Sequence, residues 1–237
     1  MTKRIAIVQS NYIPWKGYFD ILSRVDEFIL YDSAQYTRRD WRNRNQIKTP
    51  QGPQWLTIPV QSKGQYVAPI REIAVDGHDW AEKHWRTLEL HYKKAPGFAR
   101  LHAPLRALYE EAARLPMLSE VNHLFLARLG AWLGIATLLR WSWEYEAEGD
   151  KSDKLLSMCL AAGATTYLSG PSARGYLDVA RFEEAGVAVE WMDYGGYPEY
   201  PQLYPPFTHA VSVVDLLLSA ASDADARAWM RQEGGRA

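Results

Sequence analysis

The chain has 237 residues and a formal net charge of −1, with 47% hydrophobic and 23% charged residues. That is the make-up of a globular protein with a sizeable core, and it exerts no general electrostatic pull on nucleic acid. The single cysteine, Cys159, excludes an internal disulfide and a cysteine-based zinc site, and no run approaches the ~18 apolar residues of a membrane span. Ten Trp and 14 Tyr stand out, because amphipathic rings in such numbers line sites for sugars, nucleobases or partners as well as filling cores. A cytoplasmic location is expected: the start leads straight into a strand too short for a signal-peptide core.

In chain order, Arg4 to Val8 is a continuous apolar run, the pattern of a buried parallel strand. A helix follows to about Arg24, with Pro14 in its first turn and Ser10 or Asn11 as cap. Phe28 to Tyr31 is a second buried strand closed by Asp32, which completes a strand–helix–strand unit. Gln54 to Val60 reads as a third strand, with Pro59 placing it at an edge or a strand end. Ile70 to Val75 reads as a fourth. Helices are expected over about 80–94, 98–115 and 118–133, broken at Pro96 and Pro116 and closed by Gly134. A strand at 137–145, a helix at about 152–162, a strand at 165–169, a helix at about 174–185 and a strand at 187–191 form a second α/β half. A Pro- and Tyr-rich tail leads to a helix at 211–220, and the last residues, including Gly234 and Gly235, are expected to fray. The fold class expected is one α/β domain over 1–237, with a mostly parallel sheet in a three-layer Rossmann-like arrangement and a helical insert at about 79–134.

Between the second and third strands, Gln35 to Lys48 carries Arg38, Arg39, Arg42, Arg44 and Lys48 against Asp40, a local charge of +4. Tyr36, Trp41 and the amides of Gln35, Asn43, Asn45 and Gln46 are interleaved, and neither a 3.6- nor a 2-residue apolar period runs through. Guanidinium forks, flat rings and amides suit an anion attached to a heterocycle or sugar; the alternative is a solvated basic loop. The segment starts beyond the carboxyl ends of the first two strands, where open parallel sheets bind ligands. On this reading Arg38, Arg39, Arg42 and Arg44 hold phosphates, and Tyr12, Trp15 and Trp41 stack on base or sugar. Gln9, Gln35, Asn43 and Asn45 read hydroxyls, and Gly17, Tyr36 and Lys48 complete the binding set. Asp32 is the candidate general base, with Tyr12 and Gln35 as further catalytic candidates; the alternative for Asp32 is an ion pair holding Arg38 or Arg39.

Ser169, Gly170 and Ser172 follow a strand and precede a helix, which suits an anion as well as a plain turn. Asp150, Ser152, Asp153 and Lys154 suit phosphate or magnesium, or simply a helix cap. His84 and His91 lie two helical turns apart, too far for joint metal ligation, so no metal site is expected. No nucleophile elbow or hydrolase triad is present, and Cys159 reads as a buried thiol.

The runs Gln9 to Tyr18, Asp32 to Arg39, Trp41 to Lys48, Trp55 to Val60, Tyr167 to Leu177 and Tyr200 to Leu203 together resemble the WbqC-like family over nearly the whole chain. Leu216 to Ala220 departs from that family's usual ending. The resemblance implies a transferase of surface-polysaccharide (O-antigen) biosynthesis that passes glycine or another acyl group to the amine of a nucleotide- or lipid-linked amino sugar. It implies a phosphorylated small-molecule substrate, with tRNA as one acyl-donor option, and it specifies no cofactor. The turn Pro14 to Tyr18 is also similar in position to that of HIGH-type nucleotidyltransferases, without their histidines; this implies an adenylating ligase as the alternative, beside a non-catalytic nucleotide- or tRNA-binding module.

Overall fold

Five short strands give the computed structural model its frame, and it describes residues 2–149 and 151–231. Asp150, Gly234 and Gly235 lie outside the described residues. β1 (Arg4–Val8) pairs in parallel with β2 (Glu27–Leu30), in register Ile7 to Ile29, and on its other side with β6 (Thr166–Ser169). β5 (Leu138–Trp141) adds to β2 and β7 (Ala188–Trp191) to β6, also in parallel, giving the order β5-β2-β1-β6-β7. The chain thus builds outward from β1 on one side, then returns to the centre and builds the other. Such a reversal leaves a crevice beyond the carboxyl ends of the strands.

Side chains alternate across this sheet, as strand geometry requires. Ala6, Phe28 and Leu30 join the larger core cluster; Ile5, Ile7 and Ile29 join the smaller one. The larger contains residues of α1 (Lys16–Ser23), α2 (Asp79–Tyr92), α3 (Phe98–Ala112), α4 (Leu118–Trp132), α7 (Val213–Ser219) and α8 (Asp223–Met230). The smaller is built with α5 (Lys151–Ala161) and α6 (Val179–Glu184), and includes the buried thiol of Cys159.

Three expectations about elements are corrected. Gln54 to Val60 does not enter the main sheet; β4 (Gly52–Thr57) pairs antiparallel with β3 (Arg44–Thr49), from within the basic segment, as a separate ribbon. Ile70 to Val75 is not a strand: Ile70–Glu72 is a 3-10 turn, followed only by isolated bridges at Ala74 and Val75. The helix at 174–185 divides into a 3-10 turn at Pro171–Gly175 and the short α6, which Asp178 caps through the Arg181 amide. Beyond α7, α8 was not expected; Ser222 starts it by accepting from the Asp225 amide, with the Asp225 carboxylate returning the bond.

Candidate functional site

The loop between β1 and α1 is the element that shapes the site. It is held at every turn. Tyr12 N–H donates to the Trp41 carbonyl at 3.0 Å, Asn45 Nδ2 donates to the carbonyls of Tyr12 and Ile13 at 3.1 Å each, and Val213 N–H donates to the Pro14 carbonyl at 2.8 Å. These bonds keep Ile13 at φ 36°, a left-handed conformation that costs a β-branched residue on the order of 1–3 kcal/mol. The next turn aims Trp15 outward and folds its indole back over Gly17. A Cβ at Gly17 would lie 2.3 Å from the Trp15 ring, so only glycine leaves room for that rotamer.

The result is a cleft of about 310 Å³ beyond the C-terminal end of β1, lined by Asn11, Pro14, Trp15, Trp41, Asn45 and His209. Trp15 rests edge-on against Tyr194 and Tyr197, with centroids 5.4 and 5.7 Å away. Trp41 is 42% exposed and lies 5.3 Å from Trp55. His209 has a buried Nδ1 without a hydrogen-bond partner, and its ring meets Phe207 at 4.6 Å. Burial and the nearby Lys16 ammonium push its pKa below the usual imidazole value. It is therefore neutral near pH 7, and its ring lines the cleft while Nδ1 itself is enclosed. Lys16, 2% exposed, donates to the Pro198 carbonyl at 2.7 Å among the rings of Tyr197, Tyr200 and Phe207, and burial lowers its pKa to about 8.

The basic segment does not act as one unit. Trp41 and Asn45 reach the cleft. Arg42 turns inward, donating to the carbonyls of Gln9 and Ser10 and to Asn11 Oδ1, with Asp40 at 3.6 Å; its Nε is buried and unpartnered. Arg44 lies over Trp55, 4.1 Å from its centroid, and bonds the Arg39 carbonyl. Arg38 lies over Tyr66 at 5.2 Å and bonds the Ser62 carbonyl, and Arg39 is exposed at φ 59°. Asn43 and Lys48 are buried, tied to the carbonyls of Ile58 and Pro206. Tyr36 is 5% exposed and pairs through its backbone with Ala68. Gln35 is exposed and donates to the Tyr66 carbonyl at 2.7 Å.

The three catalytic candidates fall away from the cleft. Asp32 is fully buried, and its two oxygens accept from Ser10 N–H at 2.8 Å and Ser10 Oγ at 2.7 Å. Burial raises its pKa while the Ser10 bonds oppose the rise. A carboxylate so enclosed holds the end of β1 to the end of β2 and does not meet a substrate proton. Asn122 extends this buried network, donating to Ser10 Oγ and the Arg42 carbonyl at 2.9 Å each. Tyr12 is also fully buried, with its hydroxyl 2.9 Å from both His84 Nδ1 and Tyr109 OH, so its ring cannot stack on a ligand. Gln35 is engaged at the far side of the segment.

The half-buried Gln9 gives its carbonyl to Tyr18 OH at 3.0 Å. Ser169, Gly170 and Ser172 sit at the end of β6 apart from the cleft lining, with Ser169 bonded to Tyr167 OH at 3.3 Å. His84 packs between Tyr12 and Trp80, and no three His, Cys, Asp or Glu among the described residues are grouped to hold a metal ion. Among the described residues, no helix is long and apolar enough to cross a membrane. His209 lines the cleft and was not among the residues expected there. His209 sits in a Pro- and Tyr-rich tail without periodicity, and only contact with the β1–α1 loop distinguishes it.

Residues 9–226 match the family model described as the WbqC-like protein family. The chain is 50% identical over 222 residues to an uncharacterized protein, Rv1507c, of Mycobacterium tuberculosis (strain ATCC 25618 / H37Rv), covering 94% of this chain and 96% of the relative. No solved structure matches it.

Proposed function

The chain belongs to the WbqC-like protein family, and from that premise we propose that it is a transferase of surface-polysaccharide biosynthesis. It passes glycine or another acyl group to the amine of a nucleotide- or lipid-linked amino sugar, in a Rossmann-like frame that meets its substrate beyond the strand ends. The observation that carries this reading is the cleft in which Trp15 and Trp41 stand beside the amides of Asn11 and Asn45 and a neutral His209. Indole faces take the C–H side of a sugar ring, and the Asn11 amide reads its hydroxyls, while the Asn45 N–H groups hold the loop through the Tyr12 and Ile13 carbonyls. Arg38 and Arg39, exposed and a few positions before Trp41 in the chain, suit the diphosphate of a carrier.

In the transfer, the sugar amine attacks the acyl carbon of an activated ester or anhydride. A C–N bond forms, the bond to the leaving group breaks, and the neutral imidazole of His209 takes the proton that the amine loses. The test is an amide-forming assay with glycine, ATP and nucleotide amino sugars, read by mass spectrometry. His209→Ala should cut turnover by about 100- to 10,000-fold, whereas Trp41→Ala should weaken sugar-nucleotide binding by about 0.5–1.5 kcal/mol in calorimetry. Full turnover in His209→Ala removes the assignment of the base.

The outer face of the ribbon favours a second reading. Arg44 on Trp55, Arg38 on Tyr66 and the exposed Trp41 form a band of cations and rings that suits single-stranded nucleic acid such as a tRNA acceptor end. Binding of tRNA that falls steeply with salt, together with no nucleotide-sugar binding, would favour it.

A further inference from the structure

A second hollow, of about 340 Å³, opens at the C-terminal end of β5. In the sheet, β2 alone separates β5 from β1, whose end carries the cleft. One wall is a ladder of flat rings. His123 stacks on Trp141 with centroids 4.9 Å apart and 28° between planes, and Trp141 stacks on Trp143 at 4.5 Å and 14°. Trp143 is the outermost rung and stays 39% exposed. The Arg71 guanidinium lies over the Trp143 ring, 5.8 Å from its centroid, and 3.7 Å from the Glu72 carboxylate.

This rim is held in place. Arg71 and Glu72 belong to the 3-10 turn Ile70–Glu72, where Ile70 N–H donates to the Ala34 carbonyl at 2.9 Å and Arg71 N–H to the Asp32 carbonyl at 3.0 Å. Ser119 and Glu120, in the first turn of α4, close the opposite side. The Glu120 carboxylate accepts from Met117 N–H at 3.3 Å and serves its own helix end.

The charges select the ligand. Arg71 is one cation, already beside Glu72, and Glu120 adds a second anion, so a phosphate meets net repulsion. A neutral polyhydroxy ring meets none. Its C–H face can cover the exposed indole, while a guanidinium and a carboxylate side by side offer donors and acceptors to adjacent hydroxyls. The volume lies at the lower end of small-ligand sites, about 300–1,000 Å³.

We infer that this hollow is a subsite for a neutral sugar residue, stacked on Trp143 and read by Arg71 and Glu72. Two strand spacings, roughly 10 Å, separate the ends of β1 and β5, a span suited to a neighbouring unit of the same glycan. The sugar class stands on the hollow alone; its place in the acceptor rests on the transfer reaction proposed above.

Saturation-transfer NMR on the full chain tests it, with the methyl pyranosides of glucose, galactose, mannose and N-acetylglucosamine as probes. At least one should give a signal that falls five-fold or more in both Trp143→Ala and Arg71→Gln and persists in Trp41→Ala. Both altered side chains are exposed, and melting temperatures check that the variants fold. No signal from any pyranoside, a signal unchanged in Trp143→Ala or Arg71→Gln, a signal lost in Trp41→Ala, or a stronger Trp143-dependent signal from AMP overturns the inference. His209→Ala should leave the pyranoside signal intact, so this inference and the transfer reaction fail separately.

Discussion

His84 fixes how a single buried imidazole sets the acid limit of the fold. It is 6% exposed, burial lowers its pKa to about 4, and the Thr57 backbone bond opposes that only in part. Donating one ring N–H to Thr57 leaves Nδ1 to accept from Tyr12 OH, so the neutral tautomer is the one that fits. The unfolded chain binds a proton at this histidine below about pH 6.5, where the folded chain does not. Stability is therefore present above that pH and is lost as pH falls toward 4, by on the order of 3 kcal/mol. Urea midpoints between pH 7 and 4.5 should show this slope, and His84→Leu should flatten it. At the same scale, Gly17→Ala would drive a methyl into the Trp15 indole. It should lower ligand affinity in the cleft about ten-fold by calorimetry, since the stacking wall must move. Unchanged affinity would separate Trp15 from the ligand.

Among the elements, β3 explains why a charged segment hid a strand. Its inward positions after Asn43 are Asn45, Ile47 and Thr49, and the two amides spend their N–H groups on the carbonyls of Tyr12, Ile13 and Ile58. Period-2 alternation is there, but hydrogen bonding rather than hydrophobicity marks the buried side, so a search for apolar residues passes over it. The parallel strands were legible because both their faces are buried and their runs are continuously apolar. The helices α2 to α4 were legible for the complementary reason, a 3.6-residue stripe cut by Pro96 and Pro116. Pro104 is a helical cost that remains: it is exposed in the interior of α3, where it removes one backbone bond. Pro104→Ala should raise stability by about 1–3 kcal/mol in denaturant titration.

Across the whole molecule, the tail supplies part of the cleft wall, through His209 and Ala210. Asp215 on α7 is fully buried and accepts from Tyr92 OH at 2.6 Å, Tyr200 OH at 2.8 Å and Gln202 Nε2 at 2.9 Å. Gln202 in turn clamps Thr208, donating to its carbonyl and accepting from its amide at 2.9 Å each, next to His209. One carboxylate thus joins α2, the tail and the cleft wall. Asp215→Ala should cost about 1.5–3 kcal/mol of stability and weaken cleft binding with it; lost stability with unchanged binding would uncouple the two. By itself, the sequence determined the α/β class, the order of most elements and the family resemblance, because burial period and turn chemistry are local properties of a chain. It also pointed to the loop after β1 and to Trp41. Only the tertiary structure decided that Asp32 and Tyr12 are enclosed, that Arg42 braces a loop, and that His209 faces the cleft. Those outcomes depend on which distant groups surround a side chain, and no spacing along the chain records that.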